Sequence, residues 1–460
     1  MNSRIFRGQR WSAATVAAAA LLAAACHSSV TDSVLRVTLP SIIDPVNVST
    51  IDGALALRTG ALARLRDMTA SSESSWLFGG LLGDEWTTSS TFIQNDEADE
   101  RRISLNNATV TNEFRTVNRA RTAAQQAINA NKKLRPAALT DIGEMYFVRG
   151  FAEMQIAQDW CNGTPMSDAS DRVVIYAGPS SNDEVFRRAI ASFDTSLTFL
   201  TGADATTLLI KRAVKVARAR AQLGINDIAG AATTVAGIPN SFSYDLTFAP
   251  TSGDNILWAQ PFSSLRYSVG DTIVKTSAGN FIAKAGIPFG TTNDPRVPTK
   301  TGTTKAQDGS VFVVTTPLWL QATTVSLVNG LDARLIEAEA FLSAGDVTNF
   351  MASLNALRAA PPKLGEVQPP VMAALIDPGT ATTRQDLLFR EKAFWTFGRG
   401  QRLFDMRRLI RQYGRTQDQV FPTGTHYRGL PYGTDVNLPV PQDELNNNPL
   451  ALNGCTDRKP

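Results

Sequence analysis

Histidine and cysteine are scarce in this sequence: its 460 residues include two histidines, His27 and His426, and three cysteines. So few histidines exclude a His-Glu-x-x-His zinc helix and a two-histidine iron triad, and they leave hardly any room for a Ser-His-Asp triad. Neither a Cys-x-x-Cys pair nor a Gly-x-x-x-x-Gly-Lys phosphate loop occurs. The sequence therefore predicts no catalytic residue, no metal site and no cofactor.

An excess of charge is also missing. The 45 Lys and Arg exceed the 42 Asp and Glu by three, and Arg4, Arg7 and Arg10 account for the whole difference. Without residues 1–25 the numbers are equal, and basic side chains are interspersed with acidic ones. Nucleic-acid-binding proteins carry a basic stripe, so we expect no nucleic-acid partner and favour an uncharged one.

The first residues have the pattern of an export signal. Three arginines precede the apolar run Trp11–Ala25, which is too short to span a bilayer and ends in small residues directly before Cys26. This pattern predicts a lipoprotein signal peptide over residues 1–25, with Cys26 carrying acyl chains of the palmitate kind. Three such chains would anchor the protein stably to a membrane, and residues 26–45 would form a tether. An ordinary signal peptide is the alternative.

Two cysteines remain once Cys26 is lipidated. Cys161 and Cys455 both lie in polar loops that contain Asn and Gly. In an oxidising compartment such a pair predicts one disulfide, which would join the end of the chain to the loop after a helix. Two free buried thiols are the alternative.

The apolar residues of the mature chain recur mostly at helical spacing. Small residues and the break at Gly345-Asp346 make Leu331–Ala359 similar to a tetratricopeptide hairpin. The pattern predicts a mostly α fold with tetratricopeptide-like helical hairpins, and a family resemblance described below implies about four of them. The predicted helices are Thr50–Met68, residues 108–131, 140–160, 181–200 and 207–225, Leu331–Ala359, and Arg384–Tyr413.

Residues 239–329 differ from the helical segments. They are rich in Gly, Thr, Ser, Pro and aromatic residues, with β-prone runs at Asn255–Gln260 and Val311–Thr315. We predict an irregular insert with short strands, placed between helical scaffold segments at 46–238 and 330–413 and followed by C-terminal loops at 414–460. One domain over 46–460 and a division into two domains are both compatible with this pattern.

Charged residues offer two further hypotheses. Asp84-Glu85, Asp96-Glu97 and Asp99-Glu100 could supply a glycosidase-like carboxylate pair, although a polar stretch of this kind favours solvated side chains. The charged stretch Arg390–Arg408 contains its own acidic residues, which favours a buried ion network over a phosphate or nucleic-acid site. Glu337 and Glu339 are interpreted as a polar helix edge or as partners for arginines.

Aromatic residues outside the helical stripes are the candidate ligand contacts. A flat ring can stack on the C–H face of a sugar, although a single tryptophan is more often part of a core. Trp258, in the apolar run Ile256–Ala259, has the most core-like surroundings. The candidate ligand contacts are Trp76, Trp86, Tyr267 and Trp319.

Several motifs, in this order, resemble those of the SusD/RagB-like outer-membrane nutrient-uptake lipoproteins. Glu144–Ala152 looks like the family's E-A-x-F-L-R-A-x-x-Y helix, and Asp159–Met166 resembles the turn that follows it. Asn293–Val297 is similar to the D-P-R loop, and Glu337–Arg358 is similar to the family's A-E-A…G-D hairpin.

Two later stretches complete the resemblance. Leu388–Arg408 looks like E-R-x-x-E-L-x-F-E-G-x-R-x-x-D-L-x-R, and Leu438–Pro449 is similar to P-I-P-x-x-E-x-x-x-N-P. The stretch Arg390–Trp395 lacks the family's second glutamate, and the chain is shorter than many members. Glycan specificity therefore does not carry over.

The resemblance implies a function that the residues alone do not. It predicts a non-catalytic protein of the cell outer membrane, anchored by lipid and facing the exterior. Its ligand would be a nutrient, foremost a glycan, and it would act as the lid of a SusC-like TonB-dependent transporter. The alternatives are a lid for peptides or other nutrients, a lipid-anchored glycoside hydrolase, and a helical scaffold for envelope assembly.

Overall fold

The computed structural model describes residues 49–71, 74–171, 173–275, 281–283, 286–451 and 453–459. Thr50–Pro460 forms one compact unit. The predicted signal peptide, Cys26 and the predicted tether lie outside the described residues. Within the described part, no helix combines the length and apolar character needed to cross a membrane.

Long helices form most of the scaffold, which confirms the predicted mostly α fold. The helices before the insert are α1 (Ile51–Ala70), α2 (Ser75–Leu82), α3 (Ile93–Asp99), α4 (Ala108–Leu134), α5 (Leu139–Asp159), α6 (Asn182–Phe199), α7 (Ala205–Gly224) and α8 (Ile228–Val235). Those in and after the insert are α9 (Ile256–Trp258), which continues into a π-helix at Ala259–Ser263, α10 (Gly330–Ser343), α11 (Val347–Ala359), α12 (Ala381–Trp395), α13 (Arg402–Arg411), α14 (Gln417–Val420) and α15 (Gln442–Asn447).

Local side-chain caps explain where several of these helices begin. Ser181 and Glu184 form a capping box at α6, and Asn329 and Asp332 form one at α10. The carboxylate of Asp346 accepts the backbone N–H of Asn349 and so starts α11 directly after the predicted break. Each cap satisfies helix N–H groups that would otherwise have no partner.

Consecutive helices pack on each other, and the pairs joined by short loops, α4/α5, α6/α7 and α10/α11, form helical hairpins. Helix α1 packs on α4, and α8 links α7 to α10. Small residues allow close approach at these interfaces: a Cβ added at Gly150 of α5 would lie 2.8 Å from the ring of Phe193. The neighbour-on-neighbour packing is the tetratricopeptide-like arrangement that the sequence predicts.

The strands are short and pair antiparallel in separate two-stranded sheets. Strand β1 (Trp86–Thr88) pairs with β5 (Tyr267–Val269) in the register Trp86↔Val269, so the segment between α2 and α3 is joined to the insert. The pairs are β1 (Trp86–Thr88) with β5 (Tyr267–Val269), β2 (Thr164–Pro165) with β3 (Pro179–Ser180), β4 (Ser243–Leu246) with β10 (Val325–Asn329), β6 (Ile273–Lys275) with β7 (Phe281–Ala283), and β8 (Lys300–Lys305) with β9 (Phe312–Thr315).

Two local predictions are wrong. Asn255–Gln260 is helical because Asn255 caps the turn by accepting the N–H of Leu257, and a π-helix follows. The predicted helix Arg384–Tyr413 is divided into α12 and α13. Gly398 and Gly400 both have positive φ between them, and a Cβ at Gly400 would lie 2.1 Å from the indole of Trp76. Only glycine tolerates that approach and conformation.

A buried ion network joins the last helices to the scaffold, which confirms the interpretation of the charged stretch. Glu339 of α10 is fully buried and pairs with Arg408, and its Oε2 lies 3.1 Å from Nζ of Lys392. Lys392 also lies 2.7 Å from Asp405. Burial raises the pKa of Glu339, but Arg408 and Lys392 outweigh it and hold the pKa well below its usual range.

The C-terminal loops are held by a disulfide between Cys161 and Cys455, the predicted pair. Cys161 follows α5, and 294 residues separate it from Cys455 in the sequence. Backbone bonds support the same contact, since the N–H of Cys161 donates to the carbonyl of Leu438 and that of Thr456 to Asn162.

We expect the double substitution of Cys161 and Cys455 by serine to lower the free energy of unfolding by about 2–4 kcal/mol, because a cross-link over so long a loop restricts the unfolded chain. Urea denaturation of the oxidised protein and the double variant measures the difference. Wild-type protein unfolded under reducing conditions is the control and should match the variant. Equal stability of oxidised wild type and variant would contradict the disulfide.

Candidate functional site

The four aromatic residues predicted as ligand contacts lie in the core, so the structure corrects that prediction. Trp76, Trp86 and Tyr267 are 0% exposed and Trp319 is 5% exposed. The indole N–H of Trp76 donates to Gln155 at 3.1 Å, and the rings of Trp86 and Phe397 lie 5.0 Å apart. The loop glycines described above let these indoles pack against backbone. None of the four side chains can stack on a ligand in this conformation.

The exposed aromatic pair of the insert is a different one. Trp258, whose sequence surroundings suggest a core position, is partly exposed and stacks on Phe262, with ring centroids 5.6 Å apart and planes inclined by 27°. Phe262 is 61% exposed. The π-helix Ala259–Ser263 brings the two rings together. Single π-turns of this kind occur often at functional sites.

Another exposed ring follows β1. Phe92 is 43% exposed, and the guanidinium of Arg266 lies 4.5 Å from its ring centroid. The backbone connects this ring to the π-helix, because the N–H of Arg266 donates to Gln260 and that of Ser89 donates to Arg266. We call Phe92, Trp258, Phe262 and Arg266 the aromatic face. Sequence reasoning missed it because the exposure of each ring depends on contacts made by distant segments.

Arg428 supplies polar groups to the segment that carries Phe92. Its side chain is 25% exposed, lies 3.1 Å from Asp96 and pairs with Asp308. It also donates to the carbonyl of Ser90 at 3.0 Å. Burial raises the pKa of Asp96 to about 6, although Arg428 opposes this change. The arrangement places charged hydrogen-bonding groups on the loop that bears an exposed ring.

Four of the six acidic residues considered for a glycosidase-like pair are buried, so the prediction that they are solvated is wrong for most of them. Asp84, Glu85, Asp99 and Glu100 are buried. Asp84 accepts two hydrogen bonds from Arg402 at 2.7 and 2.8 Å, and Asp99 lies 3.0 Å from Nε2 of buried His426. Groups that are occupied inside the core do not reach a substrate. No group of three or more His, Cys, Asp or Glu in the described ranges could hold a metal ion.

No protein-family model and no curated protein matches the chain, whereas solved structures do. A SusD/RagB family protein from Bacteroides thetaiotaomicron is 12% identical, with a TM-score of 0.61 over 87% of this chain and 95% of that one. A SusD superfamily protein from Bacteroides fragilis is 15% identical, with a TM-score of 0.60 over 87% and 98%. This chain has the SusD fold.

A third solved structure carries a functional description. A SusD-like carbohydrate binding protein from Bacteroides vulgatus is 13% identical to this chain, with a TM-score of 0.54 over 78% of this chain and 83% of that one. At this identity the likeness establishes the SusD fold alone. The fold-level resemblance predicted from the motifs is therefore confirmed.

The motif residues that suggest the SusD fold are largely core ion pairs in this structure. Arg296, from the D-P-R-like loop, pairs with Asp294 and with Glu391 of the charged stretch, both at 2.7 Å. Glu144 of α5 pairs with Arg58. Asn448, near the end of the chain, is buried and donates to the carbonyl of Ala177 at 3.1 Å. These motifs therefore report on the scaffold and carry no information about a ligand.

The pH dependence of stability can test whether the buried carboxyl group of Glu85 is neutral in the folded protein. Burial raises its pKa to about 8, although the N–H of Gly398 donates to Oε1 at 2.8 Å and opposes the change. A carboxyl with a raised folded-state pKa costs stability as pH rises from about 4.5 to 8. We expect Glu85→Gln to match wild type near pH 4.5 and to exceed its unfolding free energy by several kcal/mol at pH 8, at about 1.4 kcal/mol per unit of pKa change.

Urea denaturation of both proteins at the two pH values measures this difference. The neighbouring substitution Asp84→Asn is the matched control, because it breaks the pair with Arg402 and should destabilise the protein at pH 8. A Glu85→Gln variant that is less stable than wild type at pH 8 would show that Glu85 is ionised in the folded protein.

Proposed function

We propose that this protein is a lipid-anchored binding protein of the outer membrane that captures a neutral glycan on its aromatic face and delivers it to a SusC-like TonB-dependent transporter as its extracellular lid. The SusD fold supports the architecture, and one protein with that fold is described as carbohydrate binding. Anchoring through Cys26 and the transporter as partner follow from the sequence resemblance. Catalysis is not part of the proposal.

The stacked pair Trp258 and Phe262 is the observation that carries this function. Phe262 is exposed and Trp258 partly exposed, and a flat aromatic surface of this kind suits the C–H face of a sugar ring. The guanidinium of Arg266 places a polar group beside the exposed ring of Phe92. The equal numbers of acidic and basic residues outside residues 1–25 fit an uncharged ligand.

The function is tested by isothermal titration of the protein lacking its first 26 residues, which leaves the compact unit Thr50–Pro460 intact. Soluble oligosaccharides and peptides of varied composition are titrated into wild type and Phe262→Ala. We expect an oligosaccharide to bind and Phe262→Ala to weaken it at least tenfold, since central aromatic contacts dominate binding energy. Thermal stability should not change, because the Phe262 ring is largely exposed.

Tyr176→Ala is the matched control. Tyr176 is 44% exposed and lies between β2 and β3, away from the insert in the sequence, so its removal should leave glycan binding within twofold of wild type. Equal losses in both variants would remove the aromatic face from the proposal. Binding of peptides in place of saccharides would retain a nutrient-binding protein and overturn the glycan as its ligand.

A further inference from the structure

A second candidate site lies on the helical scaffold. A pocket of about 290 Å³ opens between α4, α5, α6 and the loop that joins β2 to β3. Three arginines line it, one from each helix: Arg121, Arg149 and Arg188. The acidic residues at its wall are Glu153 and Asp168. Three guanidinium groups therefore face two carboxylates.

The protein holds the two inner arginines in place. Arg121 donates from Nη1 to the carbonyl of Met166 at 3.4 Å and from Nη2 to the carbonyl of Ser167. Arg149 donates from Nε to Ser192 at 3.1 Å and from Nη1 to Gln125. Guanidinium groups fixed in this way lose little freedom when they bind a ligand.

Donor capacity remains unused around the pocket. Nε of Arg121 is buried and has no hydrogen-bond partner among the described residues. Arg188 is exposed on α6 and forms no hydrogen bond or ion pair with any residue in the described ranges. A buried N–H without an acceptor is costly, so an acceptor supplied by a ligand in this pocket would stabilise Nε of Arg121.

The two carboxylates at the wall offset part of the positive charge of the pocket, but neither of them accepts a hydrogen bond from Nε of Arg121. Glu153 accepts the hydroxyl of Ser192 at 2.5 Å and lies 3.9 Å from Arg149. Asp168 accepts the N–H of Ser170 at 2.8 Å. Burial lowers the pKa of Arg121, and Arg149 and Arg188 lower it further despite the opposing charges of Glu153 and Asp168. An added anion would stabilise this charged group.

We propose that the arginine pocket binds an oxyanion, carried by a carboxylate or a phosphate group. Guanidinium groups match the planar geometry of a carboxylate and the oxygens of a phosphate, and hydrogen bonds between charged partners are the strong ones. The volume of the pocket leaves room for a carbon skeleton behind the anionic group. This site is formed by the helices and does not depend on the glycan function proposed for the insert.

Isothermal titration of the protein lacking residues 1–26 tests the pocket with succinate, inorganic phosphate and uncharged glucose at low ionic strength, where charge pairing is least screened. We expect succinate or phosphate to bind and glucose not to bind. Arg188→Ala should weaken oxyanion binding about tenfold. Arg188→Lys, which keeps the charge but loses the forked donor geometry, should weaken it by a smaller factor.

Arg187→Ala is the matched control, since Arg187 is also exposed on α6 and does not line the pocket. Both alanine variants remove one positive charge, so Arg187→Ala should bind within twofold of wild type. Binding of succinate alone assigns a carboxylate, and binding of phosphate alone assigns a phosphate. Equal weakening in the two alanine variants, or no binding of either oxyanion by wild type, would overturn the proposal.

Discussion

The buried carboxylate of Glu339 is the constraint on which the arrangement of the last helices depends. A charge taken out of water costs several kcal/mol unless well-placed partners compensate it. Here Arg408, Lys392 and Tyr413 all donate to Glu339. Because these partners come from α12, α13 and the residues that follow, α10 cannot bury its glutamate until the later helices have docked. The ion pairs of Glu339 thus make the packing of α10, α12 and α13 mutually dependent, although these helices are distant in the sequence.

The same network extends from the scaffold to the insert. Arg296, in the loop between β7 and β8, pairs with Glu391 of α12, and Arg399 pairs with Asp332 at the start of α10. Arg402 pairs with Asp84 directly before β1, which in turn pairs with β5 beside the π-helix. Ion pairs at the core therefore help to determine where the irregular segments lie, and in those segments Trp258 is partly exposed and Phe262 is exposed.

The features that could be predicted well from the sequence are those with a periodic or local residue pattern. The helical spacing of apolar residues predicted helices α4 to α7 close to their observed bounds. The motifs around Arg296 and in Leu388–Arg408 indicated the scaffold, because the ion pairs that hold it together require particular charged residues at these positions. The exposure of single aromatic rings had no such signal. Trp76 is buried because Gly400, more than 300 residues away in the chain, has no side chain. A cap at Asn255 turned an apolar run that looked like a core strand into a helix, which left Trp258 partly exposed.

This division explains how a fold can persist at 12–15% identity while its ligand contacts go unpredicted. An ion pair in the core is a joint requirement on two residues, since losing one partner leaves an uncompensated charge. An exposed ring such as Phe262 contributes little to folding, so nothing in the scaffold specifies it.

The arginine pocket lies between these two cases, because the scaffold specifies only some of its residues. Arg121 and Arg149 are fixed by contacts within the scaffold, whereas Arg188 forms no hydrogen bond or ion pair with the described residues, so a structural requirement accounts for two of the three arginines and not for the third.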